Sequence, residues 1–252
     1  MNKIALITGA TSGIGRSIAL RLGKERCNLI ITGRREERLL ELQKEIETKY
    51  DAKVLPLTFD VRQYNEVEEA IRNLPADWKA IDILVNNAGL AVGLNPIHQG
   101  VVDDWERMID TNIKGLLYMT RVVSPGMANR KSGHIINIGS IAGKQVYANG
   151  NVYCATKHAV DALSKGMRID LLPYGIKVTQ VCPGAAETEF SVVRFKGDEK
   201  RAGQVYEGFT SLSADDLAEA VWYAVSQPPH VDVQDILVMP TAQADAITFR
   251  RE

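Results

Sequence analysis

The chain has 252 residues, of which 45% are hydrophobic and 24% charged, an ordinary composition for a globular protein of one large or two small domains. Its 30 basic and 31 acidic side chains nearly cancel, so charge gives no reason to expect nucleic acid or an anionic membrane as a partner. No apolar segment approaches the roughly 20 residues that span a bilayer, and the run Ile4–Ile7 is too short for a signal peptide.

Two kinds of predicted element alternate along the chain. Short apolar runs rich in β-branched residues predict strands at Ile4–Thr8, Asn28–Thr32, Val54–Phe59, Ile83–Asn86, His134–Ile138, Lys177–Cys182 and Ile236–Met239. Apolar residues at helical spacing predict helices at Glu36–Tyr50, Asn65–Asn73, Trp105–Val123, Tyr153–Leu172 and Asp215–Val225. Strands that are apolar on nearly every residue are buried on both faces, and intervening helices permit parallel pairing. The pattern predicts an α/β fold: a doubly wound parallel sheet of seven strands with helices on both faces.

The segment Gly184–Arg201 is the one long region without a clear period, and it is rich in charge. Because the chain shows no linker, repeat or low-complexity tract, we interpret this segment as a surface excursion inside one domain of residues 1–252. We expect it to form a substrate lid at about residues 185–210.

The turn after the first strand reads Gly9-Ala-Thr-Ser-Gly13-Ile-Gly15. Glycine there permits tight or left-handed backbone and lets a pyrophosphate approach the main chain, while the next helix presents free N–H groups at its N-terminus. Thr11 and Ser12 are suited to cap that helix and to form local hydrogen bonds. A plain strand–helix turn is the alternative, but the first βα turn is where such sheets bind dinucleotides.

The end of the second strand indicates which dinucleotide binds. NAD enzymes of this architecture place an acid there for the ribose hydroxyls, whereas this strand runs into Arg34 and Arg35 with no acid before them. A guanidinium binds a 2′-phosphate that a carboxylate would repel, which predicts NADP(H). The alternative is that both arginines begin a solvated helix and pair with Glu36 or Glu37.

Tyr153 and Lys157 are four residues apart and share one face of a predicted helix. A free tyrosine has a pKa of about 10, and a nearby ammonium lowers it toward the range that general acid–base catalysis needs. Such pairs also occur on solvated helix surfaces. Ser140 favours a functional role, because it follows the strand His134–Ile138 at the sheet edge where ligands bind.

These motifs occur together and in one order. The glycine turn is followed by Asn86-Asn87-Ala88-Gly89, Asn112 in TNIKG, Ser140 in NIGS, Tyr153-Cys-Ala-Thr-Lys157 and Pro183-Gly184. Over nearly its whole length the chain therefore resembles the short-chain dehydrogenase/reductase family. The resemblance implies a single-domain Rossmann fold, hydride transfer with a nicotinamide cofactor, and a homotetramer with two-fold axes.

The resemblance also implies the catalytic roles. Tyr153 would exchange a proton with the substrate oxygen, Ser140 would hold that oxygen, and Lys157 would bind the nicotinamide ribose and lower the tyrosine pKa. Asn112 would hold a water that links the lysine to solvent. The alternative for Asn112 is a helix-interior side chain that bonds backbone.

The cofactor site implied by the turn, the arginines and the resemblance spans much of the chain. Asp60 and Val61 would flank the adenine, and Thr188 would bind the nicotinamide carboxamide. The predicted cofactor residues are Gly9, Thr11, Ser12, Gly13, Ile14, Gly15, Arg34, Arg35, Asp60, Val61, Asn87, Ala88, Gly89, Tyr153, Lys157, Pro183, Gly184 and Thr188.

The last third of the chain resembles a narrower group, the bacterial NADP-dependent 3-hydroxy acid dehydrogenases. The similar stretches are EFSVVRFKGDEKR after Thr188, AVWY at residues 220–223 and the tail PTAQADAITFRRE. Members of that group oxidise L-serine, L-allo-threonine and 3-hydroxypropionate-like acids or reduce malonic semialdehyde. A cation near the tyrosine would bind the carboxylate of such acids. Arg194 is the candidate and Lys196 the alternative, unless both are solvated charges of the lid.

Two rival functions fit part of the pattern. One is a short-chain reductase of another carbonyl class, such as a 3-oxoacyl thioester, a sugar or a steroid, where an open, apolar entrance would replace Arg194. The other is a dinucleotide sensor or interaction module without catalysis. Such a protein would have no use for Asn112, Ser140, Tyr153 and Lys157 together.

The cysteine and histidine side chains of the chain do not indicate a metal site. No metal-ligand spacing occurs among Cys27, Cys154, Cys182, His98, His134 and His230. We expect the cysteines to pack in the core, the histidines to be structural, and the protein to work without a metal in the reducing cytoplasm.

Overall fold

The computed structural model describes residues 3–252 and confirms the predicted α/β architecture. The strands are β1 Ile4–Thr8, β2 Asn28–Gly33, β3 Val54–Thr58, β4 Ile81–Asn86, β5 Gly133–Ile138, β6 Ile176–Pro183 and β7 Asp235–Val238. They form one seven-stranded sheet in the order β3-β2-β1-β4-β5-β6-β7, and every neighbouring pair is parallel. The strand order reverses between β1 and β4, which is where ligands bind in open sheets of this kind.

Helices cover both faces of this sheet. They are α1 Gly13–Lys24, α2 Glu36–Lys49, α3 Tyr64–Arg72, α4 Val102–Ile109, α5 Leu116–Arg130, α6 Asn151–Leu171, α7 Glu189–Arg194, α8 Glu199–Gln204 and α9 Ala214–Ser226. Within residues 3–252, none of them combines the length and the apolar character that crossing a membrane requires.

The side chains of β1 show how the two layers arise. Ala5 and Ile7 point to one face and join a core that α1, α2 and α9 complete. Leu6 points to the other face, into a core shared with α3, α5 and α6. Alternation along a buried strand supplies both layers with apolar surface, so the sheet is covered on both faces and ligands can reach it only at its edges.

The prediction of one continuous helix at Trp105–Val123 is wrong in detail. A wider π-helical turn at Asp110–Gly115 separates α4 from α5. Inside it, Asn112 faces Leu90, whose N–H donates to Asn112 Oδ1 and whose carbonyl accepts from Nδ2, both at 2.8 Å. Such a turn inserts one residue into the helix and is common at functional sites. The contact joins residues far apart in sequence, so helical periodicity could not reveal it.

The lid predicted at about residues 185–210 contains two short helices, α7 and α8, that the sequence pattern did not indicate. The tail of the chain packs against the end of this segment. Glu252 N donates to the Gly208 carbonyl at 2.8 Å, and the rings of Phe209 and Phe249 lie 5.0 Å apart. The end of the segment is thus attached to the tail of the chain.

One structural histidine makes stability depend on pH. His134 is buried on β5 with its Nε2 2.8 Å from Thr179 Oγ1, and burial, with the nearby Lys177 and Lys3, lowers its pKa from 6.5 to about 3. Between those values the unfolded chain binds a proton that the folded chain does not, so the free energy of unfolding falls as the pH falls. Each pH unit in that window costs at most about 1.4 kcal/mol.

Urea unfolding at about pH 7 and about pH 5 measures this dependence. His134→Gln is expected to reduce the loss of stability on acidification, whereas His230→Gln, at an exposed position, leaves it as in the parent chain. A parent-like loss in His134→Gln would contradict this origin.

Candidate active site

The glycine turn joins β1 to α1 at the carboxyl edge of the sheet. Gly9 and Gly13 have φ angles of +66° and +51°, left-handed values that other residues rarely adopt. A Cβ on Gly15 would overlap the Gly9 carbonyl and the Asn87 side chain. Glycine is therefore required for the shape of the turn, and it leaves bare backbone at the N-terminus of α1, where a pyrophosphate can approach. Ile14 packs against the core beneath.

The end of β4 is bonded to the same turn. Asn87 Nδ2 donates to the Thr8 carbonyl at 2.8 Å and to the Gly9 carbonyl at 3.2 Å. The N–H groups of Asn87 and Ala88 both donate to Thr8 Oγ1 at 3.0 Å. The structure thus brings together two segments that the sequence predicts to line one cofactor.

Arg35 crosses the mouth of the glycine turn. Its Nε and Nη2 lie 3.1 and 2.8 Å from Thr11 Oγ1, and Nη2 donates to Ser12 Oγ at 2.8 Å. Ser12 precedes α1, but its side chain does not cap the helix. The expected capping role is therefore wrong for Ser12, whose hydroxyl accepts a hydrogen bond from Arg35 in the turn between β2 and α2.

Three guanidiniums follow β2: Arg34, Arg35 and, one helical turn later, Arg38, which sequence reasoning missed although the spacing was visible. Arg35 and Arg38 do not pair with Glu36 or Glu37. Instead Glu189, at the start of α7, reaches them with its Oε2 3.0 Å from Arg35 Nη1 and its Oε1 2.6 Å from Arg38 Nη1. Burial alone would raise the pKa of Glu189, but these bonds hold it below its ordinary value. Arg35 and Arg38 therefore already bind one anionic group, the carboxylate of Glu189.

Asp60 and Val61 lie beside this cluster. The Asp60 carboxylate accepts from Arg62 Nη2 at 2.6 Å and lies 3.9 Å from the exposed Arg34. Burial would raise the pKa of Asp60, but the bonds from Arg62 keep it lowered. Val61 is buried, and a Cβ on Gly115 would lie 2.8 Å from its Cγ2. Both positions are fixed by packing and ion pairs of the protein itself.

The predicted catalytic residues converge at the carboxyl edge of β5. Tyr153 and Lys157 project from α6, Ser140 follows β5, and all three side chains are buried. Lys157 Nζ donates to the Ile138 carbonyl at 2.8 Å. Ser140 Oγ accepts from Ala142 N at 3.1 Å, which fixes the short turn that follows. The Ser140 hydroxyl also lies close enough to Tyr153 to oppose the rise of the tyrosine pKa.

The electrostatics of these groups differ from the sequence expectation. Burial raises the pKa of Tyr153 above its ordinary value, and Tyr147 raises it further, while the bond to Ser140 and the charge of Arg194 oppose the change. Burial also lowers the pKa of Lys157 to about 8. Helical spacing predicts that the lysine reaches the tyrosine, but it does not show that both groups lose water, which is the larger effect here.

Asn112 bonds to backbone from inside a helical turn, which is the alternative that the sequence left open for it. Besides its two bonds to Leu90, its Nδ2 lies 3.0 Å from Thr156 Oγ1. A Cβ on Gly89 would lie 3.3 Å from Asn112 Oδ1 and 3.6 Å from Lys157 Nζ. Asn112 therefore holds backbone next to the lysine, and the water it was predicted to bind remains a prediction.

The turn after β6 faces the glycine turn. Pro183 ends the strand, and Thr188 caps α7 by accepting from Phe190 N at 3.2 Å. A Cβ on Gly13 would lie 3.2 Å from Thr188 Cβ, so the two turns are in close contact. Gln243 in the tail was not predicted. Its Oε1 accepts from Ala185 N at 2.8 Å and holds the turn after Gly184, a contact across 58 residues.

Arg194 lies over the aromatic rings of the site. Its guanidinium carbon is 5.4 Å from the ring centre of Tyr147 and 5.8 Å from that of Tyr153. Its Nε is buried, with no hydrogen-bond partner among residues 3–252. Lys196, the alternative, pairs instead with Asp104, with Nζ and Oδ2 2.9 Å apart. The geometry thus distinguishes the two cations, since Arg194 lies over the ring of Tyr153 with its Nε unpartnered among residues 3–252, whereas Lys196 pairs with Asp104.

The site includes aromatic neighbours that sequence reasoning missed. Phe190 lies with its ring centre 5.6 Å from that of Tyr153, and Tyr147 stacks with Arg194. Neither stands in a motif that indicates chemistry. No group of three or more histidine, cysteine or acidic side chains in residues 3–252 is arranged to hold a metal ion.

Comparison with known proteins agrees with this geometry. The sequence pattern of the family described as short chain dehydrogenase matches residues 3–199. The chain is 50% identical over 244 residues to the NADP-dependent 3-hydroxy acid dehydrogenase YdfG of Salmonella typhi, covering 96% of this chain and 97% of that protein. It is 41% identical over 245 residues to the NADP-dependent 3-hydroxy acid dehydrogenase of Schizosaccharomyces pombe, covering 97% and 95%.

Solved structures give the same result. The closed form of serine dehydrogenase complexed with NADP+ superposes with a TM-score of 0.92 at 48% identity, over 99% of this chain and all of that one. A crystal structure of serine dehydrogenase from Escherichia coli gives a TM-score of 0.82 at 44% identity, over 96% of this chain and 99% of that one. These matches confirm the resemblance seen in the motifs, and the chain belongs to the short-chain dehydrogenase family.

Proposed function

We propose that this chain is a cytoplasmic, NADP-dependent oxidoreductase. It interconverts small 3-hydroxy acids, such as L-serine, L-allo-threonine and 3-hydroxypropionate, with their 3-oxo acids or semialdehydes. The observation that carries the proposal is the guanidinium of Arg194 beside the ring of Tyr153, with a buried Nε that lacks a partner among the described residues. A substrate carboxylate would satisfy that donor. The names of the relatives with 50% and 41% identity support the same substrate class.

The described residues fit NADP(H). The glycine turn would bind the pyrophosphate, Arg34, Arg35 and Arg38 would bind the 2′-phosphate, and Thr188 would bind the carboxamide. The bound cofactor supplies or accepts the hydride at the substrate carbon. The carboxylate of Glu189 forms ion pairs with Arg35 and Arg38. Because the two guanidiniums already bind one anionic group, we assign the 2′-phosphate to the same cluster.

The residues of the chain handle the substrate oxygen and its proton. Tyr153 donates its hydroxyl proton to the carbonyl oxygen during reduction and accepts a proton during oxidation. Ser140 holds that oxygen by a hydrogen bond. Lys157 binds the nicotinamide ribose, while Asn112 keeps the backbone of Leu90 in place. The lid at about residues 185–210 excludes water when the substrate is bound.

The oligomeric state is part of the proposal. We infer a homotetramer from the family resemblance, with interfaces formed by α4, α5, α6 and the tail. Exposed apolar side chains on α6 and just after it, Ile169 and Leu172, support an interface there.

The function is tested by a spectrophotometric screen of the purified protein. With NADP we expect oxidation of L-serine, L-allo-threonine and 3-hydroxypropionate, and with NADPH reduction of malonic semialdehyde. A 3-oxoacyl thioester and a reducible sugar represent the rival class. Faster turnover of either rival than of every hydroxy acid would refute the substrate class, and binding of NADPH without turnover of any compound would favour the sensor.

The cofactor assignment gives a separate prediction. Arg34→Asp is expected to raise the Kd of NADPH by about tenfold or more, because a charge-assisted hydrogen bond is replaced by repulsion. The Kd of NADH should change little, since it lacks the phosphate. Fluorescence titration with both cofactors measures the difference. Arg72→Asp, at an exposed position at the end of α3, is the charge-matched control, and equal losses for both cofactors in Arg34→Asp would show that Arg34 does not bind the phosphate.

A further inference from the structure

A buried carboxylate lies under the lid, outside the catalytic residues. Asp104 is in the first turn of α4, with a side chain only 6% exposed. Among the described residues its ion-pair partner is Lys196, with Nζ and Oδ2 2.9 Å apart. A buried charge without a partner is strongly unfavourable, so Asp104 has a strong requirement for this lysine.

The lysine belongs to the predicted lid and is half exposed. Its side chain is 52% exposed, so Lys196 loses little hydration in the pair and regains water when the pair opens. It follows the end of α7 with a left-handed φ of +55°, a conformation that commonly ends a helix. The pair therefore joins an exposed cation to a buried anion.

A second contact ties the lid to the same place. The carbonyl of Arg194 accepts from Gly93 N at 3.0 Å. A Cβ on Gly93 would lie 2.9 Å from Asp104 Oδ2, so that backbone lies directly against the carboxylate. Arg194 and Lys196, which are two residues apart in the chain, are thus bonded to Gly93 and Asp104, and these two residues are in contact with each other. Asp104, Gly93 and Tyr153 also line one cavity.

We propose that Asp104 and Lys196 are a positioning pair that holds Arg194 over Tyr153 and so sets the affinity for the substrate carboxylate. The inference rests on the proposed function, because Arg194 binds substrate only there. Neither residue touches the reacting atoms. Lys196 bonds to Asp104, Asp104 holds the end of α7, and the backbone of α7 fixes where the guanidinium points.

The pair is tested with Lys196→Met in the full-length protein. We expect the KM for 3-hydroxypropionate to rise about tenfold, since small displacements of a substrate-binding group have effects of this size or larger. The kcat and the Kd of NADPH should change by less than about twofold, well below one factor of ten. Lys196→Arg, which keeps the charge, should restore most of the affinity.

The coupling is tested with Asp104→Asn. It should raise the KM as Lys196→Met does, and the double variant should be no worse than either single one, because both changes break the same contact. Lys200→Met removes an exposed charge from α8 and should leave the KM unchanged. Amide hydrogen exchange of residues 189–204 should speed up in Lys196→Met but not in Lys200→Met.

Four results would overturn the pair. They are an unchanged KM in Lys196→Met, strictly additive effects in the double variant, a KM change matched by an equal change in NADPH affinity, and unchanged amide exchange of the lid. Failure of the proposed function looks different, because the parent chain would then fail to turn over 3-hydroxypropionate. In that case the exchange experiment alone decides whether the pair holds the lid.

Discussion

Tyr153→Phe is expected to lower kcat by about a thousandfold, within the range that general acid–base catalysis contributes. The substitution removes only the hydroxyl and keeps the ring that packs against Phe190 and Arg194. The Kd of NADPH should therefore stay within about twofold of the parent value, a difference well under 1 kcal/mol. Steady-state turnover of 3-hydroxypropionate and fluorescence titration of NADPH measure the two effects.

Tyr147→Phe is the matched control for this prediction. Tyr147 is a second tyrosine near Arg194, and burial raises its pKa as well. Removal of its hydroxyl should lower kcat far less, because it has no assigned part in proton transfer. Comparable losses in the two variants would mean that the hydroxyl of Tyr153 has no special role.

Arg194→Met is expected to lower kcat/KM for 3-hydroxypropionate about a hundredfold, because hydrogen bonds to a charged group contribute about 1.5–3 kcal/mol. The methionine keeps much of the apolar contact with Tyr147 and Tyr153 while the charge is lost. Arg194→Lys keeps the charge but not the planar fork, and it should fall between the parent and the methionine variant.

The neutral amide of the same substrate provides the control for Arg194. The parent enzyme should prefer 3-hydroxypropionate to 3-hydroxypropanamide, and Arg194→Met should abolish most of that preference. Equal losses for the acid and the amide would show that Arg194 supports the lid without binding the carboxylate.

Local periodicity predicted most of the fold. Each strand is a short apolar run, and β1, for example, was predicted with the bounds that it has. The glycine turn was also visible, because its left-handed residues and close contacts permit almost no other side chain at Gly9, Gly13 and Gly15. The spacing of Tyr153 and Lys157 placed them on one helix face, as the structure has them.

Errors arose where distant parts of the chain meet. Inside the π-helical turn Asn112 bonds to Leu90, and the hydroxyl of Ser12 accepts a bond from Arg35. The direction of the Tyr153 pKa depends on burial, which the sequence around the residue does not reveal. In each case a contact or a loss of water from another segment outweighs the local preference.

By itself, the sequence determined the alternating elements, the parallel sheet, the glycine turn and the set of side chains that we propose to be catalytic. These follow from periodicity and from residue types at fixed spacing, which act over a few residues. Only the tertiary structure decided which cation faces Tyr153, since Arg194 and Lys196 are equivalent in sequence until Asp104 pairs with one of them. Asp104 lies 92 residues before Lys196 in the sequence. Its burial makes an ion-pair partner necessary, and no pattern in the local sequence around Lys196 indicates that contact.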